Sequence, residues 1–361
     1  MLNRILVTTD AVGGVWRYSL ELAHGLAAHG IEVVLAVLGP APNLAQRREA
    51  AALGARLVET DLPLDWLAEN PGEVEHAVQA LAAMARRLDA DTVQLHTPSL
   101  VGHARWPVPV IAVAHSCVGT WWQAVRAGPL PADMTWRAEA TATGIANADF
   151  VIAPTRAFAD ALCACYGTTR AIDVVHNGRT AVAANSRRCD HILTAGRLWD
   201  EGKNIATLDA AAATWRWPVL AAGPSEGPNG ARFVAHKMTM LGPLQEIELA
   251  EEYARASIFV SLARYEPFGL AVLEAAQAGC ALVLSDIPTF RELWEGAAAF
   301  VPPDDRHAIT AAVEPLFLDP GSRLIAGEAA RRRAAAFTAA HMADATRQIH
   351  QQAAARARAA A

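Results

Sequence analysis

Ile5-Leu6-Val7-Thr8-Thr9-Asp10-Ala11-Val12-Gly13-Gly14-Val15-Trp16 is the stretch whose reading decides the fold. A short, β-branched apolar run ends in a glycine turn, and a segment with helical apolar spacing, Trp16–Ala28, follows and closes at Gly30. Glu32–Leu38 is the next apolar run. Strand, glycine turn, helix and strand form the opening of a parallel sheet, since a parallel partner needs a crossover and a helix is the usual one.

Outward from that stretch the pattern recurs. Strands are expected at Arg56–Glu59, Thr92–Leu95, Val108–Ala114, Phe150–Ala153 and Ile172–Val175, with helical stretches between most of them. After Asn177-Gly178 an irregular polar stretch reads as a linker to about Asp190. The alternation then restarts, with strands expected at Ile192–Ala195, Pro218–Ala222, Ile258–Ser261 and Ala281–Leu284. An alanine- and arginine-rich helical region runs from about Arg323, and its last residues, Ala353–Ala361, are expected to fray. The expectation is an α/β protein with two tandem doubly wound, Rossmann-like domains, which place ligands at the carboxyl ends of their strands and in the cleft they share.

Composition narrows the function. The chain has 361 residues, is 53% hydrophobic and carries a net charge of −6, which disfavours nucleic acid as a partner. No run approaches the ~20 apolar residues of a membrane span, and the first residues are too short in apolar length for a signal peptide. Five cysteines, an odd number, outline neither a disulfide framework nor a metal knuckle. A cytoplasmic protein is the expectation.

Four segments carry candidate chemistry. Gly13 and Gly14 could let an anion approach a helix N-terminus, or could simply make a tight turn; the G-x-G-x-x-G dinucleotide fingerprint is absent. Gly196-Arg197-Leu198 with Lys203 occupies the matching place in the second half. An arginine fork and a mobile lysine suit a diphosphate, although a solvated pair is the commoner fate of such residues. In Tyr265-Glu266-Pro267-Phe268-Gly269-Leu270-Ala271-Val272-Leu273-Glu274, Pro267 fits a first helical position, so Phe268–Ala278 is expected to be helical. Glu274 lies among apolar residues, where burying a carboxylate is costly unless it finds partners such as sugar hydroxyls. His115 ends the apolar run Val110–Ala114, at the strand edge where ligands bind. Trp121-Trp122 could stack on a sugar or pack as core. The one D-x-D, Asp89-Ala90-Asp91, falls at a helix-to-strand junction, outside any loop that would hold a metal.

Taken together and in this order, the Gly13-Gly14 loop, His115, Gly196-Arg197-Leu198…Lys203 and Glu266-Pro267-Phe268-Gly269-Leu270…Glu274 resemble glycosyltransferase family 4. Asn177-Gly178 is similar to that family's interdomain junction. The chain departs from the family at Ser116, where many members carry aspartate, and at Ser285-Asp286-Ile287-Pro288, which lacks the usual glycines.

The resemblance implies the two-domain B architecture: an acceptor-side domain over residues 1–176, a nucleotide-sugar domain over 177–339, and a C-terminal helix from about 340 to 361 packing back on the first. It implies retaining transfer of a sugar from a nucleoside-diphosphate sugar, with no metal and no cofactor. Arg197 and Lys203 would neutralise the leaving diphosphate. Glu274 would take the ribose hydroxyls, Glu266 and the backbone at Phe268, Gly269 and Leu270 would lie beside the sugar, His115 would touch that sugar, and Leu244 would lie near the base. Gly14 would belong to the donor site. The acceptor is open between a saccharide, a lipid-linked saccharide and a small molecule. Peripheral contact with the inner face of a membrane through Arg331-Arg332-Arg333 competes with a solvated helix face. A sugar-nucleotide 2-epimerase, or a nucleotide-sugar-binding protein without catalysis, is the alternative.

Overall fold

The computed structural model describes residues 2–184 and 186–360. The chain divides into two units, Met1–Gly178 with Ala339–Ala361, and Arg179–Thr338. The first unit runs β1 (Arg4–Asp10), α1 (Gly14–Ala27), β2 (Glu32–Leu38), α2 (Leu44–Ala52), β3 (Arg56–Glu59), α3 (Pro71–Arg87), β4 (Thr92–Leu95), β5 (Val110–Val113), α4 (Val118–Val125), α5 (Thr135–Asn147), β6 (Phe150–Ala153), α6 (Arg156–Tyr166) and β7 (Asp173–Val174). The second runs β8 (Cys189–Ala195), α7 (Ile205–Ala212), β9 (Val219–Ala222), β10 (Thr239–Gly242), α8 (Glu246–Arg255), β11 (Ala256–Ser261), α9 (Leu270–Gln277), β12 (Ala281–Ser285), α10 (Pro288–Trp294), β13 (Ala299–Val301), α11 (Arg306–Leu318) and α12 (Pro320–Ala334). The last helix, α13 (Ala339–Ala360), belongs to the first unit.

Both sheets are parallel. Strand order is β3-β2-β1-β4-β5-β6-β7 in the first and β10-β9-β8-β11-β12-β13 in the second. Each reverses direction next to the first strand of its unit, between β1 and β4 and between β8 and β11, and such switch points open a crevice at the carboxyl edge. Central strands read as continuous apolar runs because helices cover both faces; Val93, Ile111, Ile258 and Val283 are fully buried. β10 and β13 have no counterpart in the sequence expectations: they are edge strands of four and three residues.

Local chemistry sets the helix ends. Asn70 accepts from Glu73 N–H at the start of α3, where Pro71 fills the first helical position. Asn43 and Gln46 form a reciprocal capping box on α2. Asp305 and Asp319 cap α11 and α12 through backbone N–H groups.

Two expectations are corrected. The C-terminal residues are not frayed: α13 continues to Ala360, Ala353 and Ala354 are buried, and the Arg356 guanidinium lies 4.6 Å from the Phe150 ring. Met342, Ala343, Ile349 and Ala353 join the first unit's core, and that burial holds the helix end. Ala361 itself lies outside the described residues. Nor does the second-unit helix begin at Phe268. It begins at Leu270, because Gly269 takes φ +92° as its N-cap and Pro267 sits in the preceding bend.

Candidate functional site

In the second unit three glycines stand at the carboxyl ends of neighbouring strands: Gly196 after β8, Gly223 after β9 and Gly242 at the end of β10, with φ of +144°, +130° and +72°. Gly196 N–H donates to Ala222 O at 3.0 Å and Gly223 N–H to Gly242 O at 2.8 Å. A Cβ on Gly223 would collide with the Gly196 carbonyl oxygen, so the two turns approach as only glycine permits. Leu244 follows Gly242, half-buried against the same core as α9.

The loop from Gly196 to Asn204 carries the cations. Asp200 Oδ1 accepts Gly202 N–H at 2.9 Å, Asn204 turns through φ +55°, and Gly202 O accepts the N–H groups of Arg264 and Tyr265 at 2.8 and 3.3 Å. The backbone thereby ties this loop to the one holding Glu266, and Lys203 Nζ donates to Glu266 Oε2. Arg197 pairs with Asp200 at 2.9 Å and lies 5.6 Å from the Trp199 ring centroid. Each candidate phosphate cation therefore already holds a carboxylate, which an incoming anion would have to displace. Thr289 Oγ1 donates to Glu266 O at 2.7 Å and fixes the Glu266 loop from the far side.

Glu274 has a partner the sequence did not suggest. Arg179 Nε donates to Glu274 Oε1 at 2.8 Å and its NH2 donates to Glu246 Oε1 at 2.7 Å. The Arg179 side chain is only 6% exposed, so this pair answers the burial cost of the Glu274 carboxylate. Arg179 O also accepts from Gln277 Nε2 at 3.1 Å. Tyr253 stands close by, and burial, with the neighbouring Glu274 charge, holds its phenol well above the usual range.

The first unit places His115 directly after β5. Its ring meets Tyr18 at 4.6 Å and His96 at 4.9 Å, both edge-on, and its Nε2 is buried with no hydrogen-bond partner among the described residues. Burial lowers its pKa to about 4. His96, at the end of β4, belongs to a buried hydrogen-bond chain. Thr92 Oγ1 donates to His350 Nδ1 (2.7 Å), His350 Nε2 to Gln94 Oε1 (2.9 Å), and Gln94 Nε2 to His96 Nε2 (2.8 Å). His96 Nδ1 then faces Ser19 Oγ (3.3 Å), which donates to Val15 O (2.7 Å). This order leaves each imidazole with one proton; a further proton on His96 Nε2 would face the Gln94 amide N–H, and one on His350 Nδ1 would require the Thr92 hydroxyl to turn and accept. Burial drives the His350 pKa down to about 3 and that of His96 well below its ordinary value.

The glycine turn of the first unit carries a carboxylate of its own. Asp10 Oδ1 already accepts the N–H groups of Val12 at 2.8 Å and Gly13 at 3.2 Å. Gly14, the exposed first residue of α1, follows the N-cap Gly13, and no side chain among the described residues caps the helix. Trp121 and Trp122 are half-buried on α4, their ring centroids 6.3 Å apart. Asp91 of the D-x-D binds the N–H groups of Asn3 and Arg4 with Oδ2, at the amino edge of the sheet and away from these turns. Among the described residues no group of three or more His, Cys, Asp or Glu is arranged to hold a metal ion. Arg331 and Arg333 donate to carbonyls of Ala278, Glu292 and Leu293, so two of the three arginines in that run brace the fold.

Arg179, His96 and His350 were missed by sequence reasoning. His96 carries the signal that singled out His115, a histidine just past the end of a central strand. Arg179 and His350 contact partners 95 and 256 residues away and carry no local signal.

Two family descriptions match the chain: Glycosyltransferase Family 4 over residues 12–180 and Glycosyl transferases group 1 over residues 229–333. The chain belongs to the glycosyltransferases of the family 4 type, with two Rossmann-like units of the B fold. Among characterised proteins it is 26% identical to a D-inositol 3-phosphate glycosyltransferase of Kineococcus radiotolerans, across 96% of this chain and 92% of that one. Among solved structures, sucrose-phosphate synthase from Thermosynechococcus elongatus matches with a TM-score of 0.78 at 20% identity, covering 97% of this chain and 98% of that one. Anabaena HepE, solved with UDP and glucose, matches with a TM-score of 0.71 at 14% identity, covering 97% and 99%. At such identities the structural likeness speaks for the fold alone. No helix among the described residues is long and apolar enough to cross a membrane.

Proposed function

We propose that the protein is a retaining, metal-independent hexosyltransferase that takes its sugar from a nucleoside-diphosphate donor held by the second unit. The observation that carries this reading is the pairing of Lys203 with Glu266 on two loops tied together through Gly202, beside Gly269 and the start of α9. The donor's diphosphate takes Lys203 and Arg197 from their carboxylates. Glu274, held on one oxygen by Arg179, offers the other to the ribose hydroxyls, and Leu244 flanks the base.

As the glycosidic bond stretches, negative charge grows on the diphosphate and positive charge on the sugar ring. Fixed cations then stabilise the transition state more than the ground state. The acceptor attacks from the face the diphosphate leaves, and a leaving-group oxygen takes its proton, so neither Glu266 nor Glu274 acts as a nucleophile. Glu266, freed from Lys203, faces the sugar with the Phe268–Leu270 backbone. His115, neutral at physiological pH, is the group the first unit offers that sugar. The chain needs no cofactor and works in the cytoplasm, as the lack of a disulfide framework suggests.

The HepE complex with UDP and glucose supports a uridine donor in kind, and the Kineococcus relative supports a hydroxyl-rich acceptor. A thermal-shift screen against UDP-, GDP-, ADP- and TDP-sugars tests the reading. One donor should raise Tm through linkage, with and without EDTA, and Lys203→Ala should abolish the shift. No shift with any donor, or a shift that needs a divalent ion, overturns it. NMR of that donor incubated alone separates transfer from epimerisation.

A further inference from the structure

The loop after β3 runs inward along the carboxyl edge of the first sheet. Thr60 N–H donates to Val37 O at 3.1 Å and Gly39 N–H to Leu62 O at 2.8 Å. The loop then reaches the end of β4. There Asp65 Oδ2 accepts from Thr97 Oγ1 at 2.8 Å and from Ser99 Oγ at 2.6 Å. Thr97 directly follows His96, whose ring packs on His115. Cys117, two residues past His115, has its thiol pKa raised by burial and additionally by the nearby Asp65 charge. Asp65 thus stands at the same edge as the candidate histidine.

Its surroundings are distinctive. One oxygen is fixed by two neutral hydroxyls, and neither Asp65 oxygen pairs with a cation among the described residues. Oδ1 carries no hydrogen bond there, and the residue is half-buried. The turn after β1 adds a second carboxylate, Asp10. An ionised carboxylate can only accept, so a hydroxyl donor suits Oδ1 and a phosphate is repelled.

We propose that Asp65 is an acceptor-binding residue whose Oδ1 receives a hydroxyl of an uncharged polyol, a sugar or a cyclitol, and that this edge discriminates against a phosphate there. Calling the polyol an acceptor rests on the glycosyltransferase reading; the binding site stands on the first unit alone. Asp65→Asn keeps an oxygen for Thr97 and Ser99 while removing the charge, so it separates recognition from bracing.

The experiment is saturation-transfer NMR titration of the full chain with glucose, mannose and myo-inositol, and with glucose 6-phosphate, mannose 6-phosphate and myo-inositol 3-phosphate. At least one neutral polyol should bind at least tenfold more tightly than its phosphate. Asp65→Asn should weaken that polyol about tenfold, the scale of one hydrogen bond to a charged group, and narrow the preference while Tm holds. Three results overturn the proposal: no neutral polyol binds, a phosphate binds as well as its parent, or Asp65→Asn changes neither affinity nor preference. The wild-type preference needs no variant, so it decides the matter even if Asp65→Asn fails to fold. UDP-, GDP-, ADP- and TDP-sugars titrated into the same sample keep the two readings apart. Failed donor binding with intact polyol preference counts against glycosyl transfer and leaves the Asp65 site standing.

Discussion

In the second unit the turn after the first strand presents Arg197 and Lys203, each paired with a carboxylate that an anion can displace. In the first unit the matching turn presents Asp10, a carboxylate that accepts the N–H groups of Val12 and Gly13 just ahead of the helix. Behind the first turn lie neutral, buried histidines; behind the second lie ion pairs. Two copies of one strand–turn–helix plan have thus been given opposite electrostatics. A Rossmann-like edge is therefore not an anion site by topology alone; the residues at its turns decide.

The largest expected effect tests the cationic half. On the proposed mechanism, removing Lys203 deletes a charge that stabilises the leaving diphosphate, and losses for one such group run to about 10²–10³ in kcat. Lys203→Ala should reach that range in the folded protein, with some fall in Tm because the Glu266 carboxylate, only 16% exposed, loses its cation. Steady-state kinetics with the donor found by thermal shift checks it, and a loss below about fivefold would assign Lys203 to ordinary surface pairing.

Next in size is Arg179→Met. It removes the cation held against Glu274, and breaking a buried pair from one side costs on the order of 3 kcal/mol or more. Urea denaturation should show that loss, whereas Arg331→Met, at an exposed carbonyl brace, should change stability by about 1 kcal/mol or less. Equal losses would remove Arg179 from its place as the second unit's internal counterion.

Much of this comparison was legible in the sequence, and the illegible part has a physical cause. Glu32–Leu38, Arg56–Glu59, Thr92–Leu95 and Phe150–Ala153 were read with the boundaries they have; Glu32–Leu38 and Phe150–Ala153 stand out because strands buried on both faces are nearly unbroken apolar runs. β10 and β13 are only four and three residues long, too short for that signal to show. Arg197, Lys203, Glu266 and Gly269 gather in one place because each sits at a strand-to-helix turn of the same sheet edge. Arg179 and His350 act across 95 and 256 residues, and local pattern says nothing of such partners. Asp10 was within reach: an aspartate two and three residues before the N–H groups it accepts is an Asx turn, a signal the glycines overshadowed.

The neutral half is tested by acid. His115 and His350 have folded pKa values near 4 and 3, below the ordinary 6.5. The unfolded chain therefore takes up these protons first as pH falls. Stability is fully present above about 6.5 and falls toward pH 4, by about 1.4 kcal/mol per pH unit for each proton the native state refuses. Hydrogen-exchange protection of α1 and α13 should drop between pH 7 and 5 by more than the solvent-driven change in rate. His350→Gln should flatten the drop, and unchanged protection in the wild type would mean the chain tolerates protonation.

The smallest effect concerns the two glycine turns directly. Gly269 holds φ +92°, and a Cβ there would come within 3.2 Å of Glu266 Cγ and of Phe290 Cε1. Alanine at 269 should therefore cost about 1–2 kcal/mol for the left-handed backbone and push Glu266 away from Lys203. Gly14 is the first residue of α1 with helical backbone, so Gly14→Ala meets no conformational penalty and restricts the unfolded chain, a gain of about 0.4–1 kcal/mol. Paired melts of the two variants read the contrast. If both substitutions destabilise alike, the first turn is as constrained as the second, and the view that only the second was shaped around a ligand fails.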